Sequence, residues 1–442
     1  MLIKFSIENW MSYRDKTEVS MVATKEQHFG DRVARVKRLQ TRILPIAMLF
    51  GGNASGKSNL FHALDFAKFL VTRGNIMPPN AEIPVEPFLL DAESRNKPSS
   101  FSFSILVGDD AFDYSFSVTR ERILEEKLRR TTSPAKDFSF SRVYNPESLA
   151  YEMQYGLALQ KDNLLLDLIA RSTRANQLFL LSAVMQNVGE FLPVYHWFNS
   201  TLQLISPTSK YMPKELYADK SAPSFTRINE LLAGFDTGIH HIERKPIAMS
   251  AIPLPEPFVA DIARGIVEGG MVHLEAQGKT LPFILSRKDG KIIAEKLVAC
   301  HIVHGMTHDE EFEIENESDG TKRILDLLPA FADMGNEGTQ RVYVIDEIDR
   351  CLHTRATQKL LNTFLSTCGA PSRSQLLATT HDLCLMSQSI LRRDEMWLVE
   401  RSKDEVSELV PISDFVDARK DTDLRRSYLV GRMGGLPDIP IY

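Results

Sequence analysis

The sequence predicts an α/β fold that contains a mixed sheet with antiparallel strands. Three observations predict it. An apolar run over residues 43–50 leads directly into a glycine-rich loop, and apolar residues recur at helical spacing after that loop. A second apolar run over residues 342–345 ends in two adjacent acids. Residues 101–118 alternate apolar and polar side chains on both sides of a turn at Gly108, which is typical of an antiparallel hairpin.

The other elements follow in chain order. Residues 2–7 alternate like a half-buried strand, and residues 150–240 favour mostly helical structure. A proline-rich stretch at 246–257 indicates a boundary or linker loop. In the last third, the pattern predicts helices over 323–331 and 355–367 and short strands over 375–379 and 396–399.

Composition narrows the class of protein. The 442-residue chain carries a formal net charge of -6, so its whole surface is not a nucleic-acid footprint. It has no run of about 18 apolar residues, and we expect no transmembrane helix. The first residues reach acidic and polar side chains too soon for a signal peptide, and the four cysteines show no disulfide or zinc spacing. We therefore expect a cytoplasmic protein.

The glycine-rich loop fits the G-x-x-x-x-G-K-S pattern without a mismatch, and it consists of Gly51, Gly52, Asn53, Ala54, Ser55, Gly56, Lys57 and Ser58, followed by Asn59. Glycines let successive backbone N–H groups point at phosphate oxygens, and the helix that follows adds its positive end. In such a loop the Lys57 ammonium group would bind the β- and γ-phosphates of ATP, and the Ser58 hydroxyl would bind Mg²⁺. A strand before the loop and a helix after it favour this interpretation over a chance match.

The acids that end the second apolar run are Asp346 and Glu347. A strand that ends in two acids places both carboxylates at the carboxyl edge of a sheet, where ligands bind in doubly wound folds. We expect Asp346 to hold Mg²⁺ and Glu347 to act as the general base toward water. The alternative is that the two acids merely begin an exposed loop and have no catalytic role. The presence of the glycine-rich loop in the same chain disfavours this alternative.

Three weaker signals accompany these motifs. A segment directly before a predicted helix is a candidate phosphate cradle, although helix N-caps look alike; it consists of Ser318, Asp319, Gly320 and Thr321. His381 follows a predicted strand and two threonines, a position from which it can reach a γ-phosphate. Adjacent residues on a helix or strand point apart, so the pair His240 and His241 is expected in a surface loop and not as a metal-ligating pair.

The order of these motifs, with Asp349 two residues beyond Glu347, resembles the ABC ATPase superfamily, and the branch of RecF and SMC heads more than the transporters. The chain further resembles the stand-alone prokaryotic ABC ATPases of the RloA and AbiL type, related to PARIS- and retron-associated ATPases. That likeness spans essentially the whole chain, through segments at 5–13, 52–60, 84–90, 176–181, 317–323, 345–353, 379–382, 391–400 and 428–437.

Two positions depart from the family pattern. Met11 stands where the family usually has an arginine that approaches the nucleotide, so that contact would have to come from Arg14 or from elsewhere. The signature has Asp319 and Thr321 where transporters have glycine and glutamine, whereas Ser318 and Gly320 keep the hydroxyl and the close backbone approach. Gln177 and Gln186 are the candidates for the Gln-loop of the family, with ordinary helix residues as the alternative for both.

The resemblance implies an ABC-type P-loop NTPase head that binds ATP and Mg²⁺. Residues 1–190 would form an N-terminal lobe with the P-loop, 191–299 a mostly helical insertion, 300–410 a C-terminal lobe with the signature and the acids, and 411–442 a tail. The signature would act in trans, with Asp349 in the D-loop, in a homodimer or higher homo-oligomer.

The resemblance also implies a biological role. Such ATPases typically act beside a nuclease or toxin, so we expect a sensor or scaffold subunit of an anti-phage defence system that controls a separate effector protein. The alternative is a RecF- or SMC-like repair clamp, for which DNA is the ligand. We expect no membrane partner.

Overall fold

The computed structural model describes residues 1–132, 137–160, 163–208, 223–276, 279–303, 305–306, 308–336, 338–415 and 423–433. The chain divides into two compact units. The first contains residues 1–207, 338–348 and 365–442, and the second contains residues 208–337 and 349–364. No helix in the described ranges is long and apolar enough to cross a lipid bilayer.

The strands are, in chain order, β1 (Leu2–Glu8), β2 (Thr17–Ser20), β3 (Ala34–Val36), β4 (Thr41–Ile43), β5 (Ile46–Phe50), β6 (Ser99–Val107), β7 (Asp110–Val118), β8 (Ile123–Arg130), β9 (Ser139–Asn145), β10 (Ala150–Tyr155), β11 (Leu202–Ile205), β12 (Ile239–Ile247), β13 (Met271–Ala276), β14 (Lys279–Lys288), β15 (Lys291–Ile302), β16 (Asp309–Glu313), β17 (Val342–Ile345), β18 (Gln375–Thr380), β19 (Met396–Arg401) and β20 (Ser407–Pro411). The helices are α1 (Lys57–Arg73), α2 (Asn163–Ser172), α3 (Phe179–Met185), α4 (Leu192–His196), α5 (Pro223–Leu232), α6 (Glu256–Gly265), α7 (Asp319–Met334), α8 (Thr354–Leu365) and α9 (Leu424–Leu429).

The first unit contains a seven-stranded antiparallel sheet in the order β10-β9-β8-β7-β6-β1-β2. Its central hairpin, β6–β7, confirms the strands predicted from the period-two pattern. Alternation places the aromatic residues of β6 and β7 on the buried face, and the ring of Phe103 stacks on that of Phe5 of β1 with centroids 4.8 Å apart. The α1 helix packs beneath this sheet, where Phe66 contacts Trp10 and Phe101.

A second sheet of the same unit carries the predicted site motifs. Its order is β11-β17-β18-β5-β19-β20, and only the β19–β20 pair is antiparallel. The strands β5 and β17 are buried at every position, as a parallel sheet covered on both faces requires. Because β17, β18, β5 and β19 are parallel neighbours, their carboxyl ends lie along one edge of the sheet. The α/β class and the mixed sheet predicted from the sequence are confirmed.

The second unit contains an antiparallel sheet in the order β12-β15-β14-β13, with β16 paired to β15. Helix α6 packs on it through Val259 and Ala263, which share an apolar cluster with Leu274 and Leu285. The prediction of a mostly helical insertion over 191–299 is therefore wrong, because four of the five strands lie mainly in that range. The sequence there does not alternate between apolar and polar residues, because charged residues occupy both faces of segments such as β15.

Three further expectations need correction. The proline-rich stretch at 246–257 lies inside the second unit, where it joins β12 to α6, and it is no boundary between units. The unit bounds also differ from the predicted divisions at 190, 299 and 410. His240 and His241 lie in β12 and not in a surface loop. In the predicted tail, α9 is described, whereas residues 416–422 and 434–442 lie outside the described residues.

Gln375 connects the two sheets of the first unit through its buried side chain. Its Nε2 donates hydrogen bonds to the carbonyl oxygens of Leu2 (2.9 Å) and Leu44 (3.1 Å), and its Oε1 accepts one from the Leu2 N–H (2.6 Å). The side chain is fully buried, so water cannot reach these backbone groups. A residue without an amide at this position would therefore leave them without a hydrogen-bond partner.

We expect Gln375→Leu to lower the free energy of unfolding by about 2–5 kcal/mol, because it leaves three buried backbone hydrogen-bonding positions unmet. Denaturant unfolding followed by circular dichroism measures the change. The matched control is Gln154→Leu on the exposed edge strand β10, for which we expect less than about 0.5 kcal/mol. Equal effects of the two substitutions would contradict a structural role for the buried amide.

Candidate functional site

The glycine-rich loop joins β5 to α1, and Lys57 is the first residue of the helix. Lys57 Nζ donates hydrogen bonds to the carbonyl oxygens of Gly51 (2.9 Å) and Gly52 (2.7 Å), so the ammonium group lies against the loop. Ala54 and Gly56 have positive φ angles of 60° and 110°. The strand–loop–helix context predicted for these residues is confirmed.

Two glycines of this loop have steric reasons to be glycine. A Cβ on Gly51 would lie 2.4 Å from the carbonyl oxygen of Val399 in β19. A Cβ on Gly56 would lie 2.3 Å from Ser407 Oγ and 2.8 Å from Ser12 Oγ. The loop therefore packs so closely against its neighbours that a side chain at either position would displace it.

Three residues distant in sequence, Ser12, Tyr13 and Ser407, support the loop through side-chain hydrogen bonds. Ser407 Oγ donates a hydrogen bond to the Ser55 carbonyl oxygen (2.6 Å) and also contacts Ser12 Oγ (2.7 Å). Asn59 Nδ2 donates to Ser12 Oγ (2.7 Å), and the Tyr13 hydroxyl donates to the Gly56 carbonyl oxygen (3.1 Å). Burial raises the pKa of Tyr13, so its hydroxyl stays a neutral donor.

The paired acids lie directly after β17, beside the end of β18. Asp346 Oδ1 accepts hydrogen bonds from Ser58 Oγ (3.2 Å) and Thr379 Oγ1 (2.6 Å). Thr379 Oγ1 in turn accepts the Glu347 N–H (2.8 Å). Glu347 adopts a left-handed backbone conformation, with φ of 49°. Thr379, which the sequence analysis missed as a site residue, thus fixes both acids relative to the loop.

A cavity of about 490 Å³ lies at this edge of the sheet. Its lining residues are Ser12, Asn53, Ala54, Ser55, Gly56, Lys57, Ser58, Asn59, Glu347, His381 and Arg401. The structure therefore brings together the predicted loop, Glu347 and His381. The Ser55 hydroxyl is buried and has no hydrogen-bond partner among the described residues.

Arg401 is a cavity residue that the sequence analysis did not identify. The expected alternative, Arg14, pairs with Asp15 (3.0 Å) and does not line this cavity. Arg401 is the last residue of β19, a strand parallel to β5, and it pairs with Glu405 (2.5 Å). Its position at the carboxyl end of a strand next to β5 is the signal that could have identified it.

The candidate signature and Asp349 belong to the second unit. Ser318 caps α7, because its Oγ accepts the Thr321 N–H (3.1 Å), and Asp319 pairs with Lys322 (3.0 Å). A Cβ on Gly320 would lie 2.8 Å from the Cys351 carbonyl oxygen. Ser318, Gly320 and Thr321 line a cavity of about 540 Å³ in this unit, and Asp349 lies in the turn before Cys351.

Comparison with solved structures finds similarity to SMC head domains. The SMC head domain from Thermotoga maritima matches at 13% identity with a TM-score of 0.35, over 93% of this chain and 98% of that chain. An SMC head bound to the C-winged helix domain of ScpA matches at 13% identity with a TM-score of 0.43, over 92% and 97%. No curated protein matches the chain significantly.

A family model matches residues 46–149 and 213–387, which together make up more than half of the chain. The matched ranges contain the glycine-rich loop, the candidate signature, the paired acids and His381. The finer expectation of an RloA- or AbiL-type member is untested by this match. The chain belongs to the family described as "AAA domain, putative AbiEii toxin, Type IV TA system".

Proposed function

We propose that the chain binds ATP in the cavity at the carboxyl edge of the parallel strands and hydrolyses it to ADP and phosphate. One observation carries this proposal: Lys57, Glu347 and His381 line one cavity together with the glycine-rich loop. A cation, a carboxylate and an imidazole around a loop of backbone N–H groups form a set that suits phosphoryl transfer to water.

The loop from Gly51 to Asn59 would bind the phosphates. Backbone N–H groups at the start of α1 favour anions, and the positive end of the helix adds to this preference. Lys57, which now donates to two loop carbonyl oxygens, would turn its ammonium group to the β- and γ-phosphates. The unpartnered Ser55 hydroxyl supports the same assignment, because a buried donor without a partner favours an incoming acceptor.

Ser58 and Asp346 would hold Mg²⁺. Their side-chain oxygens lie 3.2 Å apart, and hard oxygen donors of this kind are the ligands that Mg²⁺ prefers. The residues present therefore fit the ion. When bound, Mg²⁺ neutralises negative charge on the phosphate oxygens. Thr379 would keep the Asp346 carboxylate in position through its hydrogen bond to Oδ1.

Glu347 would accept the proton of the attacking water as general base, and His381 would contact the γ-phosphate and orient that water. The backbone of Glu347 is held by Thr379, so its carboxylate projects from a fixed point into the cavity. Arg401, at the end of β19, would supply a second cation beside the phosphates or the nucleoside.

The signature would complete the site in trans. We infer that Ser318–Thr321 of one protomer close on the ATP of another, with Asp349 at the interface, so that ATP acts as a dimerising ligand. Gly320 lies in the first turn of α7, and the N-terminus of a helix suits contact with a γ-phosphate. Hydrolysis would then reopen the dimer.

Substitutions of Lys57 and Glu347 separate binding from turnover. We expect Lys57→Ala to reduce ATP binding and turnover by about 100-fold or more, because the loop loses its phosphate-binding cation. We expect Glu347→Gln to bind ATP within about threefold of the wild type but to hydrolyse it about 100- to 10,000-fold more slowly, because an amide is a poor base. Phosphate release and fluorescent-nucleotide titration measure the two quantities.

The control for both is His62→Ala, an exposed position on α1, which should leave binding and turnover unchanged. If Glu347→Gln hydrolysed ATP at the wild-type rate, another residue would be the base. If Lys57→Ala retained full affinity, the cavity would not be the nucleotide site.

A mixing experiment tests action in trans. Lys57→Ala and Ser318→Arg should each be inactive alone, whereas an equimolar mixture should recover about a quarter of the wild-type ATPase rate. Random pairing makes about half of the dimers mixed, and a two-fold mixed dimer keeps one intact composite site of two. A mixture as inactive as its components would count against a shared site, provided that both variants unfold at the wild-type temperature.

We further propose that this ATPase is the sensor or scaffold subunit of an anti-phage defence system and controls a separate effector, a nuclease or toxin. The family description, which names a toxin of a type IV TA system, supports a role in such systems. Nothing in the charge of the chain favours DNA as the main ligand, since its formal net charge is -6.

Phage plating on cells that carry the native locus tests the biological role. We expect the wild type to reduce plating at least about tenfold and both Lys57→Ala and Glu347→Gln to abolish this protection, because nucleotide turnover switches the complex. His62→Ala is again the control. Unchanged plating, together with DNA-damage sensitivity of the two variants, would replace the defence role with that of a repair clamp.

A further inference from the structure

The second unit contains a cluster of ligand-type side chains that the nucleotide site does not use. His240 and His241 lie on β12, and Asp309 begins β16. Their ligand atoms lie within 4.8 Å of one another. The side chains are 52%, 34% and 26% exposed, respectively, so an ion from solvent can reach all three.

A β-bulge explains why two adjacent histidines converge. The register advances by two residues on β12, from Ile239 to His241, while it advances by one on β15, from His301 to Cys300. His240 is therefore an extra residue in the strand, and a bulge changes the direction of its side chain. Without the bulge, adjacent residues of a regular strand would point to opposite faces.

The sheet register places Asp309 on the same face as His241. His241 pairs with Cys300 of β15, and Asp309 pairs with Ile302, two residues further along that strand. Because side chains alternate with a period of two, both pairs share one face. Two strands and a bulge thus bring the three side chains together without any loop.

The distances suit one metal ion. His240 Nδ1 and His241 Nδ1 are 3.4 Å apart, and His241 Nδ1 is 3.5 Å from Asp309 Oδ2. Tetrahedral Zn²⁺ with bonds of about 2.0–2.1 Å separates its ligand atoms by about 3.3 Å. The third distance, 2.7 Å between His240 Nδ1 and Asp309 Oδ2, is that of a hydrogen bond. A small movement of one side chain would convert it into a ligand separation.

Neighbouring groups support a ligand role for His241. Its Nε2 lies 4.0 Å from Glu243 Oε2, and Glu243 also pairs with Lys245 (3.1 Å). A carboxylate facing the second nitrogen of a histidine ligand fixes its tautomer and leaves the other nitrogen for the metal. Cys300 is the remaining ligand-type side chain near His241, but it is buried and groups with His241 and Glu243, not with Asp309.

We propose that His240, His241 and Asp309 form a binding site for a borderline transition-metal dication, with Zn²⁺ as the best fit. Two imidazole nitrogens and one carboxylate disfavour Mg²⁺ and Ca²⁺, which prefer oxygen ligands. Three protein ligands leave a fourth position for water or for a group from another molecule. The cluster shares no residue with the proposed ATP site or with the candidate signature.

The test is zinc binding by the metal-stripped full-length chain, free of any affinity tag, without nucleotide and in excess Mg²⁺ to mask oxygen-rich sites. We expect one tightly bound Zn²⁺ per chain by equilibrium dialysis and elemental analysis. The double variant His240→Gln/His241→Gln should weaken binding at least about tenfold, and Asp309→Asn should weaken it too. Binding should also weaken in acid, since imidazole ligands must be deprotonated.

His62→Ala, which removes a histidine from α1 in the first unit, is the matched control and should bind Zn²⁺ like the wild type. Titration with Co²⁺ provides a second readout, because visible absorption bands report its coordination geometry directly. Thermal unfolding checks that the variants fold. Failure to bind Zn²⁺ at about 100 µM, or wild-type binding by the double variant, would overturn the proposal, whatever the ATPase assays show.

Discussion

The candidate site depends on one interaction, the contact of the Asp346 carboxylate with the hydroxyls of Ser58 and Thr379. The three residues come from the first turn of α1, the residue after β17 and the end of β18, so these hydrogen bonds connect the loop to the ends of two strands of the sheet. Parallel pairing with a common register makes them adjacent, since Ile345 pairs with Ala378 and Thr380 pairs with Phe50. A shift of one residue in any of these strands would direct Asp346 or Thr379 away from the cavity.

Support for the loop also comes from outside this sheet. Ser12 follows β1 of the antiparallel sheet, and its hydroxyl contacts Ser407 and Asn59. Gly56 packs so tightly between Ser12 and Ser407 that no Cβ fits there. The antiparallel sheet thus also supports the glycine-rich loop, and Gln375 holds the two sheets in fixed relation through hydrogen bonds that a purely apolar contact would not specify.

The sequence predicted those parts of the fold and site that local patterns encode. The glycine loop, the strand that ends in Asp346 and Glu347, and the hairpin of β6 and β7 each have a periodicity or spacing that is independent of distant residues. Arg401 and Thr379 were missed because only strand order brings them to the loop. The sheet of the second unit was missed because charged residues occupy strand positions on both faces. The bulge at His240 was missed because it depends on the pairing of β12 with β15, which the sequence of one strand does not reveal.

Both motif regions contain residues with a strained backbone. Ala54, Glu347 and Cys351 all have positive φ, a conformation that costs residues other than glycine of the order of 1–3 kcal/mol. Ala54 lies in the loop, Glu347 ends the acidic pair, and the Cys351 carbonyl oxygen approaches Gly320 of the candidate signature. Such strain persists only where surrounding contacts determine the backbone, as Thr379 does for Glu347. An acid held in a strained conformation beside a cavity is therefore a candidate for a chemical role, and its hydrogen bond to Thr379 is what fixes the position of the carboxylate.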